Sequence, residues 1–179
     1  MRQKISAARL EKFMQSIGRA GKKGVRVYLV GGATAVLLGW RDTTIDIDLK
    51  IVPETDEILR QLPRLKEDLQ INIELASPDD FIPPLPGWEE RSSYIGKEGS
   101  IEFFHYDFYA QALAKIERGH TTDFLDVQQM IERGLVEPSR LRELYSRIED
   151  SLYKYPAIDA DTFKTALDNF LKSHRKSGL

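Results

Sequence analysis

The chain contains no cysteine, which excludes disulfides, thiolate metal sites and cysteine nucleophiles at once. It has no large excess of either charge. Its 26 basic and 28 acidic residues leave a formal charge of −2, so a general electrostatic grip on nucleic acid has no support, although a local basic patch is compatible with these totals. It also lacks a long apolar run: the longest, Val27 to Leu38, is too short and too glycine-interrupted to span a bilayer. The stretch from Met1 to Arg9 is basic but has no apolar core behind it, so no signal peptide is read there and a cytoplasmic location is expected. What is present suits a folded chain. The 179 residues are 41% hydrophobic and 30% charged, enough for one domain or a small two-lobed one.

Hydrophobic periodicity organises the chain. Ile5 to Ile17 repeats apolar residues at helical spacing, with Ser6 as its cap. Val25 to Val30 is β-branched and aromatic, and reads as a buried strand that stops at Gly31-Gly32; Ala33 to Leu38 then forms a short helix ending at Gly39. From Thr44 to Val52 the pattern alternates, placing Ile45, Ile47, Leu49 and Ile51 on a packed face and Thr44, Asp46, Asp48 and Lys50 on a polar one. Asp56 to Leu69 is helical in pattern, with a kink or break expected at Pro63. Ile71 to Leu75 alternates again, with Asn72 and Glu74 opposite Ile71, Ile73 and Leu75. Pro78 to Trp88 holds four prolines and reads as an irregular excursion. Arg91–Gly96 and Ser100–His105 pair as a hairpin. Four helices follow, at Phe108–Arg118, Thr122–Arg133, Ser139–Tyr153 and Asp161–Arg175. The expected fold class is therefore α+β: a mixed or antiparallel sheet of some five strands flanked by helices, with a helical C-terminal third. The expected division is an α/β core over residues 1–106 and a helical region over 107–179.

Chemistry concentrates around two carboxylates. Asp46 and Asp48 stand two apart on one strand, so both project from one face, where like charges repel unless a cation lies between them. A hard divalent ion such as Mg²⁺ suits carboxylate and water oxygens. Alone, such a pair is more often a solvated strand face than a metal site. The double glycine upstream shifts the balance, because glycines at a strand-to-helix junction let a phosphate approach bare amides at the positive end of a helix.

Gly31-Gly32-Ala33-Thr34, followed by Arg41-Asp42-Thr43-Thr44-Ile45-Asp46-Ile47-Asp48-Leu49, resembles the nucleotidyltransferase superfamily that includes DNA polymerase beta. Within it, the likeness is nearest to small bacterial proteins related to the AbiEii toxins and to the minimal nucleotidyltransferases of toxin–antitoxin systems. The similarity extends over roughly residues 25 to 133. It implies a third carboxylate, for which Glu74 is the candidate and Glu102 the fallback, although relatives usually carry Asp where Glu74 stands. It implies Mg²⁺ or Mn²⁺ held by Asp46, Asp48 and Glu74, in-line transfer of a nucleoside monophosphate from a nucleoside triphosphate, and a triphosphate held by Gly31, Gly32 and Thr34. Arg41 and Lys50 flank the carboxylates, and each reads as a phosphate contact or, at least as readily, an ordinary surface cation. The resemblance also draws Lys115 into the site, with Asp123 and Asp126 beside it. The acceptor hydroxyl stays open between RNA (tRNA ends above all), a partner protein and a small molecule. An inactive binding module or antitoxin on the same fold is the alternative. His105, His120 and His174 show no metal-binding spacing, and Trp88 is read first as packing and second as a base-stacking residue.

Overall fold

A computed structural model describes residues 2–175. The chain divides into two compact units, Met1–Ser77 with Ser92–Tyr106 and Pro78–Arg91 with Asp107–Leu179. It therefore passes between them three times, and the proline-rich excursion belongs with the C-terminal helices.

The first unit holds all five strands: β1 (Arg26–Val30), β2 (Asp46–Val52), β3 (Asn72–Leu75), β4 (Ser93–Glu98) and β5 (Ile101–His105). They form one mixed sheet in the order β3-β2-β1-β5-β4. β1 runs antiparallel to β2 and parallel to β5, β2 is parallel to β3, and β4 and β5 make the antiparallel hairpin. The core lies on one face of the sheet, where Val27, Leu29, Ile47, Leu49, Ile51, Ile73 and Phe103 pack with residues of the helices α1 (Ala7–Ala20) and α3 (Asp56–Asp68), notably Phe13, Ile17, Ile58 and Leu62. Those helices supply their apolar residues at three- and four-residue spacing, as a one-sided helix must. The short helix α2 (Gly32–Leu37) joins β1 to the loop before β2.

Three details depart from the sequence reading. Pro63 does not break α3; it lies on the exposed side, while Leu62 and Leu65 next to it are buried and hold the helix to the core. Ile45 is 72% exposed because β2 begins only at Asp46, so the alternation does not yet govern it. Leu75 is likewise exposed, at the last residue of β3.

The second unit comprises a short turn of helix at Pro78–Asp80, α4 (Trp88–Arg91), α5 (Phe108–Arg118), α6 (Thr121–Glu132), α7 (Pro138–Ser146), a 3₁₀ segment at Glu149–Lys154 and α8 (Ala160–Arg175). The single helix expected over Ser139–Tyr153 is thus two pieces, with Pro138 at the first-turn position that proline favours. Asp107 opens α5 by accepting the amide of Tyr109 at 3.2 Å, and Arg91 donates to the same carboxylate through Nη2 at 2.7 Å, which ties the excursion to that helix. Leu113, Ile116, Met130, Leu141, Leu144, Phe163 and Leu167 are buried, and Tyr145 meets Phe163 edge-on at 5.0 Å.

The hairpin turn carries a tight constraint on the first unit. Gly99 has φ +57°, and a Cβ there would collide with the carbonyl of Gly18 in α1. Gly99→Ala combines a strained left-handed backbone with this clash, so equilibrium urea unfolding is expected to show a loss of about 2 kcal/mol or more.

Candidate active site

β2 alternates half-buried and buried residues along its whole length, so Asp46, Asp48, Lys50 and Val52 share the face opposite the core. Strand register places the neighbours. Asn72 lies opposite Asp46 and Glu74 opposite Asp48 on parallel β3. The four residues occupy the corners of one cell of the sheet. On the other side, Val30 lies opposite Asp48 and Tyr28 opposite Lys50.

The register also separates the two candidates for the third carboxylate. Glu102 is opposite Arg26, four residues along β1 from Val30 and roughly 13 Å away at ordinary strand rise. It stands 3.7 Å from the Arg26 guanidinium instead. Glu74 is the carboxylate beside Asp48.

Glu74 is exposed, and its Oε1 accepts from Asn72 Nδ2 at 2.8 Å; the same nitrogen donates to Asp46 Oδ1 at 2.7 Å. Among the described residues, no three His, Asp or Glu side chains are grouped so as to hold a metal ion. The Asn72 amide thus stands between Asp46 and Glu74 on the polar face. Asn72 is the residue that sequence reading passed over. Its place on the polar face was visible, but its bonds depend on register, which one strand's pattern does not give.

The glycine turn reaches the aspartates. Gly31 has φ +60° and ψ −122°, and a Cβ added to it would lie 3.5 Å from Asp48 Oδ2. Backbone that only glycine adopts easily thus sits beside the carboxylate. Gly32 opens α2, and a Cβ on it would collide with the side chain of Thr44, whose hydroxyl donates to the carbonyl of Asp46 at 3.1 Å. The double glycine thereby lets the turn and the start of β2 approach. As in any helix start, the amides of the first turn have no partner within the helix.

Thr34 is placed otherwise than expected. It is fully buried, and its hydroxyl lies 3.3 Å from the Leu29 carbonyl and 3.0 Å from His105 Nδ1. Its side chain therefore braces the turn from within. Arg41 is half-buried in the loop after α2, where its amide joins those of Gly39 and Trp40 on the Ala35 carbonyl. Lys50 is half-buried on the aspartate face, one step beyond Asp48.

Lys115 belongs to the second unit. There α5 and α6 bring together two cations and two anions: Lys115 donates to Asp126 Oδ2 at 2.8 Å and to Asp123 Oδ1 at 3.3 Å, and Arg118 Nε donates to Asp123 Oδ2 at 2.8 Å. Burial disfavours the charge on Asp123, but the Arg118 hydrogen bond and the Lys115 charge outweigh it and hold its pKa below the usual carboxylate value. The candidates Lys115, Asp123 and Asp126 do meet, as a charge-balanced tie between helices. His105 lies on Thr34, His120 stands at the start of α6, and His174 lies on the Phe170 carbonyl at 2.9 Å. Trp88 is half-buried at the start of α4.

Comparison with known proteins now gives the class. The family described as nucleotidyltransferases of unknown function (DUF6036) matches residues 8–175, and the chain belongs to it. Among solved structures, an antigenic nucleotidyltransferase-like protein from Paracoccidioides brasiliensis is similar in fold, with a TM-score of 0.50 and 14% identity over 93% of this chain and 95% of that one. No curated protein matches. Among the described residues, no helix is long and apolar enough to cross a membrane.

Two measurements follow from these contacts. Burial lowers the pKa of His105 from 6.5 to about 4, so between those values the unfolded chain takes up a proton that the folded chain refuses. Its neutral state contributes stability above pH 6.5 that is lost as pH falls toward 4, about 3 kcal/mol in all, and His105→Gln flattens that part of the stability–pH curve. Lys115→Met leaves Asp126 without its ammonium partner, and denaturant melts are expected to lose about 3–5 kcal/mol.

Proposed function

We propose that the chain transfers a nucleoside monophosphate from a nucleoside triphosphate to a hydroxyl acceptor, with Mg²⁺ or Mn²⁺ held by Asp46 and Asp48. The observation that carries this reading is the approach of the Gly31 turn to Asp48 on the face that also bears Asp46, in a chain of a nucleotidyltransferase family. The donor set fits the ion. Mg²⁺ commonly takes one or two protein carboxylates and completes its shell with water and substrate phosphate, so two aspartates suffice without a cage. Bound there, the ion would neutralise triphosphate charge and make the acceptor hydroxyl easier to deprotonate.

The residues divide the remaining work. The backbone at Gly31 and Gly32 takes the triphosphate, and Lys50 adds a positive charge on the same face. The acceptor oxygen attacks the α-phosphorus in line, the bond to the β-phosphate oxygen breaks, and pyrophosphate leaves. Glu74 receives the hydroxyl proton on its carboxylate. Arg41, in the loop that leads to β2, is a second candidate for phosphate contact. Lys115 is better assigned to holding α5 on α6 than to the reaction, given its two aspartate partners. The likeness to toxin–antitoxin nucleotidyltransferases favours a tRNA end or a partner protein as acceptor.

A second reading has one observation behind it. Glu74 is engaged by Asn72, as a residue without a catalytic task would be, and the fold would then bind nucleotide without transferring it. Purified protein incubated with each labelled nucleoside triphosphate, Mg²⁺ and total RNA or lysate separates the two. Label transfer that falls at least about 100-fold in Asp46→Ala/Asp48→Ala is the expected result. A thermal shift with Mg²⁺-triphosphate but no transfer would leave the binding reading, and neither signal would overturn both.

A further inference from the structure

Asn72 occupies the corner of the polar cell that faces Asp46 across the strands and precedes Glu74 by two residues on its own strand. A side-chain amide has two N–H groups, and both have partners here: Asp46 Oδ1 at 2.7 Å and Glu74 Oε1 at 2.8 Å. The opposite end of the amide is fixed as well, since its Oδ1 accepts from the guanidinium of Arg2. The segment that carries Arg2 is itself held by backbone bonds to the chain just before β3 and β2. Gln3 donates its amide to the Gln70 carbonyl at 2.9 Å, and Ile5 and Thr44 exchange both backbone hydrogen bonds at 2.7 and 2.9 Å. Donors on one side and acceptors on the other thus agree on a single orientation of the amide.

We propose that Asn72 is a positioning residue of the cation site, held in orientation by Arg2; this rests on the reading that Asp46 and Asp48 hold the divalent ion. The amide takes one oxygen of Asp46 and one of Glu74, so the second oxygen of each carboxylate is left for ion and substrate. It also sets a neutral donor between two anions that would otherwise repel, which keeps the pair in place before the ion arrives. Partners that orient metal-binding carboxylates typically change metal affinity 10–100-fold when removed.

The test reads Mn²⁺ binding directly, by the loss of the free-ion signal in electron paramagnetic resonance, with full-length protein and no nucleotide. Wild type is expected to bind Mn²⁺, Asp46→Asn/Asp48→Asn to lose it, and Asn72→Ala to bind about 10-fold more weakly while its circular dichroism matches wild type. Arg2→Ala shifts affinity in the same direction by freeing the amide, and it carries the test if Asn72→Ala does not fold. Unchanged affinity, within two-fold, in a folded Asn72→Ala or in Arg2→Ala overturns the proposal while the aspartate site stands; a lower melting temperature with unchanged affinity marks a merely structural tie and does the same. No Mn²⁺ binding by wild type, or none lost in the aspartate variant, overturns the aspartate site and this proposal with it.

Discussion

Ile47, Leu49 and Ile51 are buried against a core built with α1 and α3, and because side chains alternate along a strand, that burial commits Asp46, Asp48 and Lys50 to the opposite face. Slipping β2 by one residue would put two aspartates and a lysine into an apolar core, at a cost far above the stability of a small domain. The site's geometry therefore inherits its precision from the core. β3 follows from the same anchor through Ile73, which brings Asn72 and Glu74 to the corners of the same cell. β1 follows through Val27 and Leu29, and ends where the glycine turn can reach Asp48.

How much of this was legible beforehand depended on the range of the interaction. Short-range patterns read well: the alternation of β2, the helical spacing of α1 and α3, the hairpin of β4 and β5, and the boundaries of α5. They fail where a residue lies just outside an element, as with Ile45, or at its last position, as with Leu75, or where tertiary packing overrides local preference, as with Pro63. The polar face was legible as a face. Its internal arrangement was not, since only the parallel register of β2 and β3 reveals that Glu74 rather than Glu102 adjoins Asp48, and that Asn72 lies between carboxylates. Thr34 shows a different limit. A hydroxyl after a glycine pair suits a phosphate or a buried partner equally well, and the partner here is a histidine 71 residues away.

The second unit gives the converse lesson. Lys115 and Arg118 share a helix face by spacing, and Asp123 and Asp126 do so on the next helix, so a meeting of the four was foreseeable from two short helices joined at Gly119. What spacing could not show is that Lys115, Asp123 and Asp126 are buried while the half-exposed Arg118 completes the charge balance. Removing one partner of such a cluster costs more than the cluster's net contribution to stability, because it leaves a buried charge uncompensated.

The path of the chain between its units bears on how this protein can be divided or inherited. Pro78–Arg91 leaves the strands after β3, joins the helices through Arg91 and Asp107, and is followed by a return to β4. No single cut therefore yields both units whole. A fragment ending after β5 keeps every strand but strands Arg91 away from its carboxylate, and a fragment starting at Asp107 buries that carboxylate with its guanidinium gone. Gene fusion, fragment expression or shuffling within this family would have to carry the two lobes together, as one inseparable module.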